Sequence, residues 1–307
     1  MKLAIIIPAY KGRFLKETLD SIAVQNYKDE FVLYIGDDAS PERLDKIAGS
    51  YRNKMNLVYH RFDENMGGRD LVAHWERCIR LSTEPYIWLF SDDDLMPADG
   101  VERVMEALSH PHHRGGGDFF RFPIAVIDGN NRLIRANRPL EEGIVSHYRL
   151  ILDKLQGKSD SAAVEYVFSR ELWKAAGGFV HFPMAWCSDD ATWASFARHA
   201  GGVVSLPGQP VYWRNAEGAN ISNSAGHEKE KLCATILFLK WMRNKFPGFA
   251  GNPELIGALQ HYIHTILHIS LQNRYGICGL WGISKALGRF GKRAAITTFF
   301  RNFRLSP

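Results

Sequence analysis

The chain has 307 residues, 46% of them hydrophobic and 23% charged, a balance that excludes an intrinsically disordered chain and supplies enough apolar surface for a substantial core. Its four cysteines, Cys78, Cys187, Cys233 and Cys278, lie far apart with no CxxC pair, which argues against a disulfide frame or a structural zinc site and for a reducing compartment. The formal net charge is +5, yet after Glu254 the chain has no acidic residue at all and seven Lys and Arg, so a basic tail follows a slightly acidic body.

In chain order, "KLAIIIPAY" reads as a buried strand closed by Pro8, too short for a signal peptide or a membrane span. Phe14, Leu15, Thr18, Leu19 and Ile22 then recur at helical spacing. "EFVLYIGDDAS" is a second buried strand stopped by Gly36, and Ser40 before Pro41 has the pattern of an N-cap followed by proline in the first helical turn. "MNLVYHRF" is a third strand and "ENMGG" a turn. Leu71, Val72, Trp75 and Ile79 form a helix face, and "YIWLF" is a fourth strand. Short buried strands alternating with helices predict an α/β fold with a mostly parallel, Rossmann-like sheet flanked by helices.

From Asp118 the texture changes. "DFFRFPIAVIDGNNRLIRA" reads as a hairpin turning at "DGNN", "AVEYVFSR" as a strand, and "RELWKAAGG" as a short helix closed by glycines. "SDDATWASFARHAGG" is a helix with an acidic first turn, and "VVSLPGQPVYWR" returns as strand. "HPHHRGGG" has the composition of an exposed loop. From about Lys229 the pattern is helical throughout, a C-terminal appendage after a first domain of residues 1–226. No apolar run approaches the roughly 18 residues of a spanning helix, so a cytoplasmic chain is expected, at most touching the inner face of the membrane.

The first, second and fourth strands end in "PAY", "GDD" and "SDDD". In a parallel sheet ligands bind beyond the carboxyl ends of the strands, so these carboxylates converge on one crevice. Crowded together they raise one another's pKa, and a hard divalent cation, magnesium or manganese, is the partner that oxygen-only ligands suit. Such a cation keeps positions open for substrate phosphates. An acidic run is often only a solvated loop, but a loop need not follow a buried strand, nor be matched by an acidic pair at the end of another.

With these motifs on the page, the chain resembles an inverting family 2 glycosyltransferase of GT-A fold. "IIIPAYKGRFLKETLDSI", "VLYIGDDAS", "ENMGGRDLVAHW", "SDDD", "AAGGF" and "SDDATW" stand in the family's order, over residues 3 to about 214. The resemblance implies transfer of a sugar from a nucleotide-diphosphate donor to an acceptor hydroxyl, with a divalent cation. Pro8 and Tyr10 would line the nucleotide site, the Tyr10 ring stacking on the base. Asp38, or Asp37, would accept a hydrogen bond from a base with an N–H, as in uracil, although thymine offers the same edge. Arg69 would offset the diphosphate. Asp92 and Asp94 form a DxD motif for the metal, with Asp93 toward the nucleotide, although the family's first position also aligns with Ser91. Asp190 aligns with the catalytic base, and Asp189 replaces the usual Glu, which leaves open which of the two takes the proton. The acceptor implied is a saccharide or a lipid-linked one, in bacterial polysaccharide or glycolipid assembly.

Other features are weighed against blander readings. His261, His264 and His268 share a helix face with no carboxylate beside them, a pattern of structural histidines. His227 follows the last family strand and could reach the diphosphate. Lys285, Arg289, Lys292 and Arg293 lie on one face of the tail and Ile283, Leu287, Phe290 and Ala294 on another, with Phe299, Phe300 and Phe303 beyond. That pattern suits an anionic membrane surface or packing onto the body, and no groove-reading motif points to nucleic acid. Two rivals stay open: a nucleotidyltransferase, for which "PAYKGRF" supplies only one glycine, and a scaffold of the same fold without catalysis.

Overall fold

The structure is a computed structural model, describing residues 2–109, 118–216 and 226–303. The expected loop "HPHHRGGG" and the last basic residue, Arg304, lie outside the described residues. The first half alternates strand and helix as the pattern predicts: β1 (Leu3–Ala9), α1 (Leu15–Ala23), β2 (Phe31–Asp37), α2 (Leu44–Gly49), β3 (Leu57–Arg61), α3 (Leu71–Ile79), β4 (Tyr86–Leu89) and α4 (Gly100–Ser109). β1 pairs in parallel with β2 on one side and β4 on the other, so Leu3 to Ile7 have no face left for water and read as a continuous apolar run.

The large sheet begins with the order β3-β2-β1-β4 and continues with strands from the second half of the chain. The chain steps outward from β1 to β3 and returns across β1 to β4. The strand order therefore reverses between β1 and β4, which opens a crevice at their carboxyl ends. Core packs on both sides: Ile5, Ile7 and Leu33 join α1 and α2, and Ile6, Leu89 and Val72 join α3.

Beyond α4 come β5 (Phe119–Arg121), β6 (Ile124–Ile127), β7 (Leu133–Ala136), β8 (Gly143–Val145), α5 (His147–Leu155), β9 (Tyr166–Ser169), α6 (Arg170–Ala175), α7 (Ser188–His199), β10 (Val203–Ser205) and β11 (Val211–Arg214). β9, β5, β10 and β8 extend the large sheet, β9 running antiparallel to both β4 and β5. The expected hairpin is real only for β6 and β7. β5 parts from it at Phe122–Pro123 and joins the large sheet, while β11, β6 and β7 make a second sheet of three strands. "VVSLPGQPVYWR" is likewise two strands, one in each sheet, because Pro207 and Pro210 interrupt the ladder. The expected cap at Ser40 is also different: α2 starts only at Leu44, and the Ser40 hydroxyl takes the Glu42 N–H and donates to the Tyr10 carbonyl.

The tail forms α8 (Glu228–Lys245), α9 (Pro253–Thr265), α10 (Gly276–Leu287) and α11 (Lys292–Phe303). These share one apolar core with α5 and the start of α7. Ile283, Leu287, Phe290 and Ala294, one face of the expected amphipathic tail, are buried in it. Among the described residues no helix is long and apolar enough to cross a membrane.

Candidate active site

A cleft of about 540 Å³ opens at the carboxyl ends of β1, β2 and β4. Its walls include Pro8 at the end of β1, Tyr10 and Lys11 after it, Asp38 after β2, the turn Asn65–Gly68, and the run Ser91–Asp94 after β4. His74 and Trp75 of α3, Ala162–Val164 and Trp213 complete it. The expected residues Pro8, Tyr10, Asp38, Asp92, Asp93 and Asp94 are thus brought together.

The three aspartates are held differently. Asp92 ties β4 to β1, its Oδ2 accepting the Tyr10 N–H at 2.8 Å and the Lys11 N–H at 2.9 Å. Asp94 is turned inward, Oδ2 taking the Ser91 hydroxyl at 2.6 Å and Oδ1 the Arg214 N–H at 2.6 Å. Asp93 has the Ser91 hydroxyl beside its carboxylate and donates its N–H to that hydroxyl at 3.4 Å, while its backbone carbonyl accepts from Arg214 Nε at 2.6 Å. Burial, joined by the Asp93 charge, pushes the Asp92 carboxyl up to about 7 and Asp94 well above the usual range. Asp93 is raised too, by burial, against the pull of Ser91 and Arg214.

For a divalent cation these residues would fit: Oδ1 of Asp92 and the Asp93 carboxylate offer acceptors free of backbone donors, while the expected ligand Asp94 has both oxygens already hydrogen-bonded. Among the described residues no group of three or more His, Cys, Asp or Glu is placed to hold a metal. Two carboxylates with positions left for phosphate oxygens is the arrangement magnesium commonly takes.

Asp38 is buried, its oxygens accepting the Met66 and Gly67 N–H groups, both at 2.8 Å, and the Arg77 guanidinium, with His74 Nδ1 3.4 Å away. It therefore shapes the cleft through the Asn65–Gly68 turn. Gly67 has to be glycine here, since a Cβ would stand 2.7 Å from an Asp38 oxygen. Burial pulls the His74 imidazole down to about 4. Asp37 does not line the cleft. It is fully buried and accepts from Ser40 N at 2.7 Å, Arg61 at 2.7 Å and the Tyr59 hydroxyl. Arg69 pairs with Glu64 at 2.8 Å on the surface and is also absent from the cleft wall, as is His227, which precedes α8. The rings of His264 and His268 lie 4.1 Å apart, tilted by 58°, and both meet Asn302, His264 Nδ1 at 3.3 Å and His268 Nε2 at 2.8 Å, a structural contact of α9 and the turn after it with α11.

Asp189 and Asp190 open α7 behind a tight approach in which Met184, Ala185 and Cys187 all have left-handed backbone (φ 59°, 56° and 63°). Three such residues without glycine store strain, which packed surroundings must hold. Asp190 Oδ1 meets the Lys154 ammonium at 3.0 Å, a partner 36 positions upstream on α5 that no motif announces. Burial lowers the Lys154 ammonium, but Asp190 and Asp189 beside it leave it raised. Asp189 accepts the Asp190 N–H at 2.9 Å, and burial together with the Asp190 charge pushes its carboxyl up to about 7. The pair stands beside the cleft, not in its wall. Asp190 and Lys154 line a cavity of about 20 Å³, and the segment 159–164 is shared, Ser159 and Ser161 facing that cavity and Ala162 to Val164 the cleft.

This geometry can be set beside known proteins. Residues 4–172 match the model of glycosyl transferase family 2. Over 70 residues, 22% of this chain, it is 37% identical to poly(ribitol-phosphate) beta-N-acetylglucosaminyltransferase TarS of Staphylococcus aureus, and over 108 residues, 35% of this chain, 30% identical to the uncharacterized glycosyltransferase RT0329 of Rickettsia typhi. These matches span only 12% and 32% of those proteins' own lengths. Across 99% of this chain and 90% of the other, the fold superposes on the crystal structure of S. aureus TarS 1-349 in complex with UDP-GlcNAc with TM-score 0.72 at 18% identity. The mannosyltransferase PcManGT of Pyrobaculum calidifontis, in complex with GDP-Man and Mn2+, superposes over 96% of this chain and 75% of its own with TM-score 0.52 at 16% identity. The sheet with its switch point between β1 and β4 is that of GT-A enzymes, and the chain belongs to glycosyl transferase family 2.

Proposed function

We propose that this glycosyltransferase takes a UDP-sugar and transfers the sugar, with inversion, to a hydroxyl of a saccharide or lipid-linked acceptor in bacterial polysaccharide or glycolipid assembly. The catalytic domain is residues 1–226, and the helical region 227–307 holds the enzyme at the inner face of the membrane. The observation that carries this reading is one cleft, at the switch point of a family 2 fold, whose wall joins an exposed aromatic ring to a row of three carboxylates. Support for uracil comes from the fold shared with TarS in complex with UDP-GlcNAc, and for a cation from PcManGT in complex with Mn2+.

Tyr10, 41% exposed, offers its ring to the base. Asp38 sets the turn against which the nucleotide lies, and Asp92 and Asp93 would hold the cation. A divalent cation supplies Lewis acidity for the departing diphosphate. The acceptor oxygen forms its bond to the anomeric carbon as the bond from that carbon to the diphosphate oxygen breaks. A carboxylate takes the hydroxyl proton during that displacement. Asp190 is that base and Lys154 positions it. One displacement with one base inverts the centre.

A melting-temperature panel tests this directly: UDP, dTDP, GDP and CDP, each with manganese, magnesium or EDTA. Stabilisation by UDP that needs the cation is the expected result. No shift with any nucleotide overturns the donor site, and a shift indifferent to EDTA overturns the cation.

A further inference from the structure

Burial of Ile283, Leu287, Phe290 and Ala294 removes the tail's obvious apolar face from any partner, yet a different one remains. α10 and α11 pack as an antiparallel hairpin: a Cβ at Gly288 would meet Ala295 at 3.5 Å near the turn, and Tyr275 Oη meets the Asn302 carbonyl at 3.1 Å at the open end. α8 lies against one side of α10, so close that a Cβ on Gly279 or Gly282 would meet Leu232 or Ile236 at 2.5 and 2.9 Å. α9 receives one side of α11, through Gln260 on Ala294 and His264 on Asn302. Helical spacing then leaves Ile277 and Trp281 of α10, and Ile296, Phe300 and Phe303 of α11, on the outer side. All five are exposed, Trp281 at 58% and Phe300 at 63%.

Charge selects the occupant. Lys285 lies on the same side as Trp281, its ammonium 4.9 Å from the indole ring, and Arg289, Lys292 and Arg293 surround the turn. None of these four forms an ion pair among the described residues, unlike Arg274 before them, which meets Glu228 at 3.2 Å. A second copy seated on this face would bring the same cations against themselves, so the partner carries negative charge. An anionic polymer would satisfy the cations and leave Trp281, Ile296 and Phe300 wet. A bilayer surface rich in anionic headgroups satisfies both. Building on the membrane reading above, we infer that the outer side of the α10–α11 hairpin is the membrane-contact surface, with Trp281, Ile296 and Phe300 entering the headgroup layer and Lys285 and Lys292 meeting lipid phosphates.

Vesicle flotation of the chain tests this, with phosphatidylcholine alone and with phosphatidylglycerol added. The wild type is expected to float only with phosphatidylglycerol, and less as salt rises. Lys285→Gln with Lys292→Gln should weaken partitioning about fivefold per charge. Trp281→Ser with Phe300→Ser should abolish most flotation while leaving the UDP-induced melting shift untouched, which shows that the exposed substitutions have not unfolded the chain. A wild type that ignores both vesicles overturns the membrane reading. Flotation retained by the Trp281, Phe300 variant overturns this surface alone. A wild type that sediments as a dimer, and as a monomer after Phe300→Ser, gives the face to a second copy and also overturns it. None of these results touches the donor site, which the nucleotide panel tests separately.

Discussion

Two acidic groups lie on either side of the segment 159–164, and they are neutralised in opposite ways. The carboxylates of the row Asp92–Asp94 accept from uncharged donors, the N–H groups of Tyr10, Lys11 and Arg214 and the Ser91 hydroxyl, while the Arg214 guanidinium binds the Asp93 carbonyl and pulls on its carboxyl from there. The pair Asp189–Asp190 has an ammonium of its own, Lys154 at 3.0 Å. Neutral donors orient a carboxylate without cancelling its charge, so the row still attracts a cation from outside. The pair carries its counter-ion within the fold and needs none. That difference suits the row to binding a charged ligand and the pair to handling a proton.

The largest test of this contrast is Asp190→Asn. Removing the proposed base should cut transfer roughly a hundred- to ten-thousandfold, while UDP still raises the melting temperature, because the row is untouched. Steady-state turnover beside the melting shift checks both halves. If Asp189→Asn silences transfer and Asp190→Asn does not, the roles within the pair are exchanged.

Lys154→Met should come next. The ion pair is neither fully buried nor on the surface, so losing it costs about 1–3 kcal/mol, between the values for those two settings. Denaturant melts read that cost. Without an ammonium 3.0 Å from Asp190 Oδ1 to favour the carboxylate form, the acid limb of the rate profile should also move to higher pH. A loss of stability with an unmoved acid limb would make Lys154 structural only.

Asp92→Asn sharpens the other side. An amide oxygen can still accept the Tyr10 and Lys11 N–H groups, but it removes the buried charge. Folding raises the Asp92 carboxyl from the ordinary range to about 7. Between about pH 4 and pH 7 the folded chain therefore holds a proton that the unfolded chain has released, and this contribution to stability falls as pH rises. The melting temperature of Asp92→Asn relative to wild type, without nucleotide or cation, should thus climb from pH 4 to pH 7 and then level off. His74, drawn down to about 4, pushes wild-type stability the other way but is common to both proteins and cancels. A constant difference across that range would mean that Asp92 titrates normally.

These contrasts also show what a single sequence can and cannot disclose. β1, β2, β3 and β4 were legible because burial on both faces forces continuous apolar runs, and the carboxylates stood at their ends. The partition of Asp92, Asp93 and Asp94 was not, since it depends on Arg214, 120 residues later, reaching back to Asp94. Lys154 was invisible for the same reason: nothing in "LDKLQ" marks a lysine whose partner opens another helix. Asp37 and Asp38 read alike as neighbours, yet strand alternation points one toward Tyr59 and Arg61 and the other toward the cleft. The tail's apolar residues were found, but helical periodicity alone could not say which stripe α8 and α9 would cover.

The smallest expected effect belongs to Tyr10, the proposed platform for the nucleotide base beside the row of carboxylates. Its backbone is fixed independently of its ring, the N–H by Asp92 and the carbonyl by the Ser40 hydroxyl at 2.6 Å. Replacing the side chain should therefore leave the site's frame in place. An aromatic stacking contact is worth about 0.5–1.5 kcal/mol, so Tyr10→Ala should weaken UDP binding by roughly two- to twelvefold. Tyr10→Phe, which keeps the ring and loses only the hydroxyl, should bind as wild type does. Calorimetric titration with UDP separates the cases. Equal losses in both variants would assign the contact to the hydroxyl, and no loss in either would place the base elsewhere along the cleft, against Trp75 or Trp213.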